Sequence, residues 1–163
     1  MASTKTSSRK TWRQKLETDH DLPKVERIPA RMAKQWGKGT IVIAAPREVD
    51  ALMARVPKGK VTTIDELRAA LALEHGATIA CPMTTGIFAN IAARAADEDE
   101  QAGRRRITPY WRTLKAGGEV NPSPGGLAVL RSRLQAEGHT VIARGKRLFV
   151  AEYTKRLVRP KAE

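Results

Sequence analysis

The chain has 163 residues, 41% of them hydrophobic, which is enough to bury one core. Lys and Arg number 30 against 17 Asp and Glu, a formal net charge of +13, and an excess of that size favours a polyanionic partner through phosphate neutralisation and counterion release. No apolar run approaches the roughly 18 residues that a membrane span needs, no apolar stretch follows Met1-Ala2-Ser3-Thr4-Lys5 as a secretory leader would require, and the single cysteine, Cys81, excludes an intramolecular disulfide and fits a reducing, cytoplasmic compartment.

Residues 1–10 are Ser, Thr, Lys and Arg with almost nothing apolar, and are expected to form a disordered basic tail. Residues 11–45 read as an N-terminal extension of short elements. A helix begins near Thr11, with Trp12 and Leu16 four apart on one face. Asp19-His20-Asp21-Leu22-Pro23 reads as a turn. Ile28-Pro29 opens a second short element carrying Met32 and Trp36, broken by Gly37-Lys38-Gly39, and Thr40-Ile41-Val42-Ile43-Ala44 is a short apolar strand or turn.

The main domain is expected over residues 46–153. Pro46 suits the first position of a helix whose first turn holds Glu48 and Asp50, where carboxylates favour the helix dipole, and Val49, Leu52, Met53 and Val56 give its period. Thr63 with Glu66 three residues on predicts a capping box for a helix through Leu67, Ala70 and Leu71 to Gly76. Pro82 opens an Ala-rich helix to about Ala102. The acidic run Asp97-Glu98-Asp99-Glu100 and the basic run Arg104-Arg105-Arg106 fit either a solvated helix end with cations beyond its C-terminus or arginines placed on phosphate. Pro124 to Glu137 reads as an amphipathic helix with Leu127, Leu130 and Leu134 in one stripe. Two β-type runs around Arg144-Gly145-Lys146 read as a hairpin, and a basic tail, 154–163, follows. The expected fold is mainly α, a winged-helix-like DNA-binding domain with a short C-terminal β-hairpin. Such modules set their second or third helix against a DNA groove.

One set of motifs is more specific. Ile107-Thr108-Pro109-Tyr110-Trp111-Arg112-Thr113-Leu114 is followed by Ser123-Pro124-Gly125-Gly126-Leu127 and then by Glu137-Gly138-His139. Upstream stands Val56-Pro57-Lys58-Gly59-Lys60-Val61-Thr62-Thr63. In order and spacing these resemble the C-terminal domain of the O6-alkylguanine-DNA alkyltransferases, whose active site reads Pro-Cys-His-Arg ahead of a Gly-Gly-Leu helix. The resemblance spans Val49 to His139. It puts Tyr110 at the reactive cysteine, Trp111 at its histidine partner and Glu137 at the glutamate that orients that histidine.

Alkyl transfer needs a thiolate. A tyrosine has an unperturbed pKa near 10, and an indole nitrogen donates but does not accept, so the resemblance is to an alkyltransferase-like member lacking the reactive cysteine, and no catalytic residue is expected. Two further departures follow from the same alignment: Thr78 stands where the family inserts an arginine into the base stack, and Ile64 where a tyrosine meets the flipped nucleotide. What the resemblance implies is double-stranded DNA as partner, alkylated or not, with handover to nucleotide excision repair proteins, by a monomer near the nucleoid in the cytoplasm, without cofactor or metal.

Tyr110, Trp111, Arg112 and Glu137 are the candidate lesion pocket, with core packing of the two aromatics and a buried ion pair at Arg112 as the competing readings. Thr84, Thr85, Asn90, Arg94, Arg104, Arg105, Arg106, Arg144 and Lys146 are the candidate DNA contacts. Two alternatives stay open: alkyl transfer by Cys81, near a helix start where a thiol pKa can fall, and architectural or regulatory binding of undamaged nucleic acid.

Overall fold

The structure is a computed structural model that describes residues 9–122 and 124–162. Helix α1 (Trp12–Glu17) leads to strand β1 (Lys24–Arg27), a 3-10 turn, helix α2 (Ala33–Trp36) and strand β2 (Thr40–Ile43). Helix α3 (Pro46–Ala54), strand β3 (Thr62–Thr63), helix α4 (Ile64–His75), strand β4 (Ile79–Ala80) and helix α5 (Pro82–Gln101) follow. Strand β5 (Thr113–Leu114), helix α6 (Leu127–Ala136) and the hairpin β6 (Val141–Arg144) and β7 (Arg147–Val150) complete the order. The chain is mainly helical with a C-terminal antiparallel hairpin, as the pattern of apolar periods predicts.

Three small pairings tie the helices together. In the sheet β1-β2-β4, β1 runs antiparallel and β4 parallel to β2, with Val25 opposite Val42 and Ile41 opposite Ile79. β3 and β5 pair in parallel, Thr62 opposite Thr113, which fixes the segment just after Arg112. The hairpin closes through Gly145-Lys146, with Arg144 opposite Arg147 at its tip. Strand β1 carries no sequence signal, because all four of its residues are exposed and show no apolar alternation.

The core forms where α1, α3 and α4 pack around α5. Leu16, Val49, Leu52, Leu67 and Leu71 join Leu114, Leu130 and Leu134 there, each such side chain contributing roughly 1.5–3 kcal/mol of burial. Residues 11–45 are thus packed on the rest rather than hanging from it. The Glu98 carboxylate accepts the backbone N–H of Trp12 (3.0 Å) and of Arg13 (3.1 Å), capping α1 from α5. The Trp12 ring meets the Lys15 ammonium at 4.1 Å and the Arg94 guanidinium at 5.0 Å. Thr18, one residue past α1, donates its hydroxyl to Gln14 O (2.7 Å).

The C-terminal tail is held as well. Val61 N–H donates to Arg156 O (3.0 Å), Val158 N–H to Val61 O (2.9 Å), and Arg159 Nε to Glu66 Oε2 (2.7 Å). That last bond changes the cap expected for α4. The Thr63 hydroxyl accepts Glu66 N–H (3.2 Å), but the Glu66 carboxylate is taken up by Arg159 instead of returning to Thr63. Helix α6 starts at Leu127 rather than at Pro124, because Gly125 and Gly126 both sit at φ +86°, a left-handed backbone outside the helical region. The expected disorder of residues 1–10 falls, for 1–8, outside the described residues, as does Ser123. No helix of the described residues is long and apolar enough to cross a membrane.

Candidate functional site

The segment Pro109-Tyr110-Trp111-Arg112 is stretched between two anchors. On its N-terminal side the Thr108 hydroxyl donates to Asp50 Oδ1 (2.7 Å) on α3, and on its C-terminal side β5 pairs with β3. Between them Tyr110–Arg112 form one 3-10 turn, which sends successive side chains in different directions. Tyr110 goes into the core, and Trp111 lies half-buried against it, ring edge to face at 5.4 Å and 79°. Arg112 turns to the end of α6, where Nε donates to Glu137 Oε1 (2.8 Å), Nη2 to Glu137 Oε2 (2.7 Å) and Nη1 to Val56 O (2.7 Å).

Trp111 borders an open cleft of about 500 Å³ whose wall also includes Arg105, Arg106, Arg112, Arg133 and Glu100. The Arg133 guanidinium covers the Trp111 ring at 4.4 Å and stands 5.7 Å from Tyr110, and it is ion-paired with Glu100. Two guanidiniums, of Arg133 and Arg112 (5.5 Å), thus stand against the indole, and Arg105, Arg106 and Glu100 line the same cleft. This arrangement suits a ligand with a planar part and an anionic part. Arg105 and Arg106, which make no ion pair among the described residues, offer charge-assisted hydrogen bonds to phosphate, whereas Arg112 is engaged by Glu137 and Val56 O. The indole face that Arg133 covers is open to stacking only once that side chain moves aside.

Neither Tyr110 nor Trp111 offers a proton acceptor or a nucleophile at neutral pH, and the cleft's carboxylate, Glu100, is paired with Arg133. Burial pushes the Tyr110 phenol above its ordinary value of 10.0, and the Trp111 indole N–H, buried without a hydrogen-bond partner of ordinary geometry, can only donate. Burial would raise the Glu137 carboxyl, but the Arg112 fork, with Trp111 close by, outweighs it and holds the pKa low. Burial also lowers the pKa of His139, two residues on, aided by the charges of Arg156 and Arg112 against the opposing pull of Glu137.

The candidate lesion residues thus divide. Trp111 and Arg112 line the cleft. Tyr110 and Glu137 lie behind it, one as core packing and the other as the ion-pair partner of Arg112, so their side chains are not presented to a ligand. Arg133 and Glu100 were missed. Arg133 stands one residue before Leu134, at the border of the Leu127-Leu130-Leu134 stripe, a signal visible in the helical period of α6.

The candidate DNA contacts divide in the same way. Arg105 and Arg106 reach the cleft, and Lys146 is exposed at the hairpin tip with Arg144, whose guanidinium lies 5.3 Å from the Phe149 ring. Thr85 is only 2% exposed, and its hydroxyl donates to Cys81 O one turn back (2.7 Å), which removes it as a contact. Arg94 is half-buried with its guanidinium against Trp12, and Arg104 stands 3.8 Å from Asp99, which also pairs with Arg13. Thr84 and Asn90 are half-buried on α5. Thr78 exchanges hydrogen bonds with Thr40, and Gly39 is required there because a Cβ would come within 2.3 Å of the Thr78 hydroxyl. Ile64 packs against the core. Cys81 is 7% exposed in an apolar cluster with Ile28 and Ile41, distinct from the cluster that holds Tyr110.

No protein-family model matches the chain, and no curated protein matches it. Among solved structures, the crystal structure of S. pombe Atl1 in complex with damaged DNA containing O6-carboxymethylguanine is similar at 15% identity and a TM-score of 0.48, over 71% of this chain and 94% of that one. A likeness of that size carries no argument about family or ligand.

Proposed function

We propose that the chain is a non-catalytic, alkyltransferase-like DNA-binding protein that holds an alkylated guanine against Trp111 and passes the lesion to excision-repair proteins. The observation that carries this reading is the Trp111 ring bordered by Arg105, Arg106, Arg112 and Arg133 in a chain of net charge +13. An extruded base stacks on an indole with about 1–3 kcal/mol per base once Arg133 moves from the ring face, and its flanking phosphates meet Arg105 and Arg106. The residue order from Val56 to His139 supports the same reading, and the site's chemistry supports binding without transfer: an indole and a buried phenol stand where a base and a thiol would be needed. In this reading the partner is duplex DNA, the active unit a monomer, and the setting the nucleoid in the cytoplasm.

Duplexes with and without O6-methylguanine, titrated at two salt concentrations, test the proposal. Tighter binding of the lesion duplex at both concentrations supports it. Equal affinity removes lesion recognition and leaves architectural binding of undamaged DNA, which the exposed Lys146 and Arg144 favour. Transfer to Cys81 is disfavoured by its apolar burial, and an unchanged protein mass after incubation with methylated DNA rejects it.

A further inference from the structure

The candidate contacts Thr84, Thr85 and Asn90 make the start of α5 the helix expected to meet a duplex, but charge and exposure point elsewhere. Helix α5 carries one basic residue, Arg94, against Asp97, Glu98, Asp99 and Glu100. Arg94 is committed to Trp12, and Glu98 to the N-terminus of α1. The helix has no charged side chain from Pro82 to Ala93, where it exposes Met83 (66%) and Ile87 (53%). A helix with this balance repels phosphate at its C-terminal end and offers it no cationic side chain at its N-terminal end, only the weaker pull of the helix dipole.

The next helix and the hairpin have the opposite balance. Residues 127–150 hold Arg131, Arg133, Arg144, Lys146 and Arg147 against one acid, Glu137, which Arg112 neutralises inside the protein. The solvent side of α6 presents Ala128, Ser132 and Gln135 beside Arg131, small and polar residues that let a helix approach a groove closely. Arg131 and Lys146 make no ion pair among the described residues, so their charge is available. Arg133 connects this surface to the Trp111 cleft.

We infer that α6 and the β6–β7 hairpin, rather than α5, form the face that binds duplex DNA, with the backbone running beside the Trp111 cleft. This rests on the DNA-binding reading and assigns its surface. Uncharging the face removes phosphate contacts, each of which contributes about one unit to the salt slope of binding.

The test is fluorescence anisotropy with a short labelled, undamaged duplex across a salt series, on two full-length variants of exposed residues. One is Arg131→Gln with Arg144→Gln and Lys146→Gln; the other is Met83→Ser with Ile87→Ser. Far-UV circular dichroism confirms that both are folded. The expected result is a loss of at least about tenfold and a salt slope shallower by two to three in the first variant, with the second within about twofold of the unmodified chain. A first variant within twofold, or a loss as large in the second, overturns the inference alone. An unmodified chain that binds no duplex at low salt overturns the DNA-binding reading and the inference with it.

Discussion

Arg112 grips Glu137 through three hydrogen bonds, 2.8 and 3.2 Å from Nε and 2.7 Å from Nη2, while its third nitrogen holds Val56 O, and the two side chains are only 14% and 7% exposed. The pair binds the turn that carries Trp111 to the C-terminal end of α6 and to the end of α3. The glutamate that resemblance places beside a catalytic histidine here has a scaffolding partner instead. Breaking a buried pair by removing one member strands the other charge, at about 3–5 kcal/mol. Arg112→Met is expected to lower unfolding stability by that amount in urea titrations, with a lower midpoint at unchanged slope.

The same pair sets an acid dependence. The folded-state pKa of Glu137 is depressed, so the unfolded chain binds its proton first as pH falls. The stabilisation is fully present above the ordinary carboxylate pKa of about 4.3 and is lost as pH drops through the lower folded value. Stability measured between pH 6 and pH 3 should fall, and Glu137→Gln should flatten that fall as well as lower the plateau.

His139 acts at higher pH with the same sign. Its folded pKa is below the ordinary 6.5, so the unfolded chain takes up the proton first, and stability declines as pH falls below about 6.5. One proton gives a slope of at most about 1.4 kcal/mol per pH unit. His139→Asn should reduce the slope between pH 7.5 and 5.5, and an unchanged slope would show that other groups carry it.

Docking of α1 depends on one carboxylate that accepts two backbone N–H groups. Glu98→Ala leaves those donors without their partner and should cost about 1–2 kcal/mol. Hydrogen exchange should rise first at residues 12–17. A loss spread evenly over the chain would mean that α1 and the domain unfold as one unit.

Most of the helices were legible because their signals are local. Thr11, Pro46, Thr63 and Pro82 stand one residue from helix starts, or at them, and the Leu127-Leu130-Leu134 stripe announces α6. The hairpin was legible from two apolar runs around Gly145. Strand β1 was not, since an exposed edge strand needs no apolar alternation. At the site, the sequence placed Tyr110 to Arg112 together but could not say which way a 3-10 turn aims each one. Arg133 and Glu100 come from two helices, 33 residues apart, and only packing pairs them and sets Arg133 over Trp111. Thr85 lies on the same helical row as the buried Ala89, Ala92 and Ala96, but so small a set of side chains marks that face of α5 only weakly as core.

The most direct test of the central claim compares lesion preference in the unmodified chain and in Trp111→Ala. The ratio of affinities for an O6-methylguanine duplex and its unmodified counterpart is to be measured at one fixed salt concentration. The expected ratio is well above one in the unmodified chain and falls toward one in Trp111→Ala, with the affinity for the unmodified duplex nearly unchanged. A ratio of one in the unmodified chain, or a preference that survives the substitution intact, would contradict it.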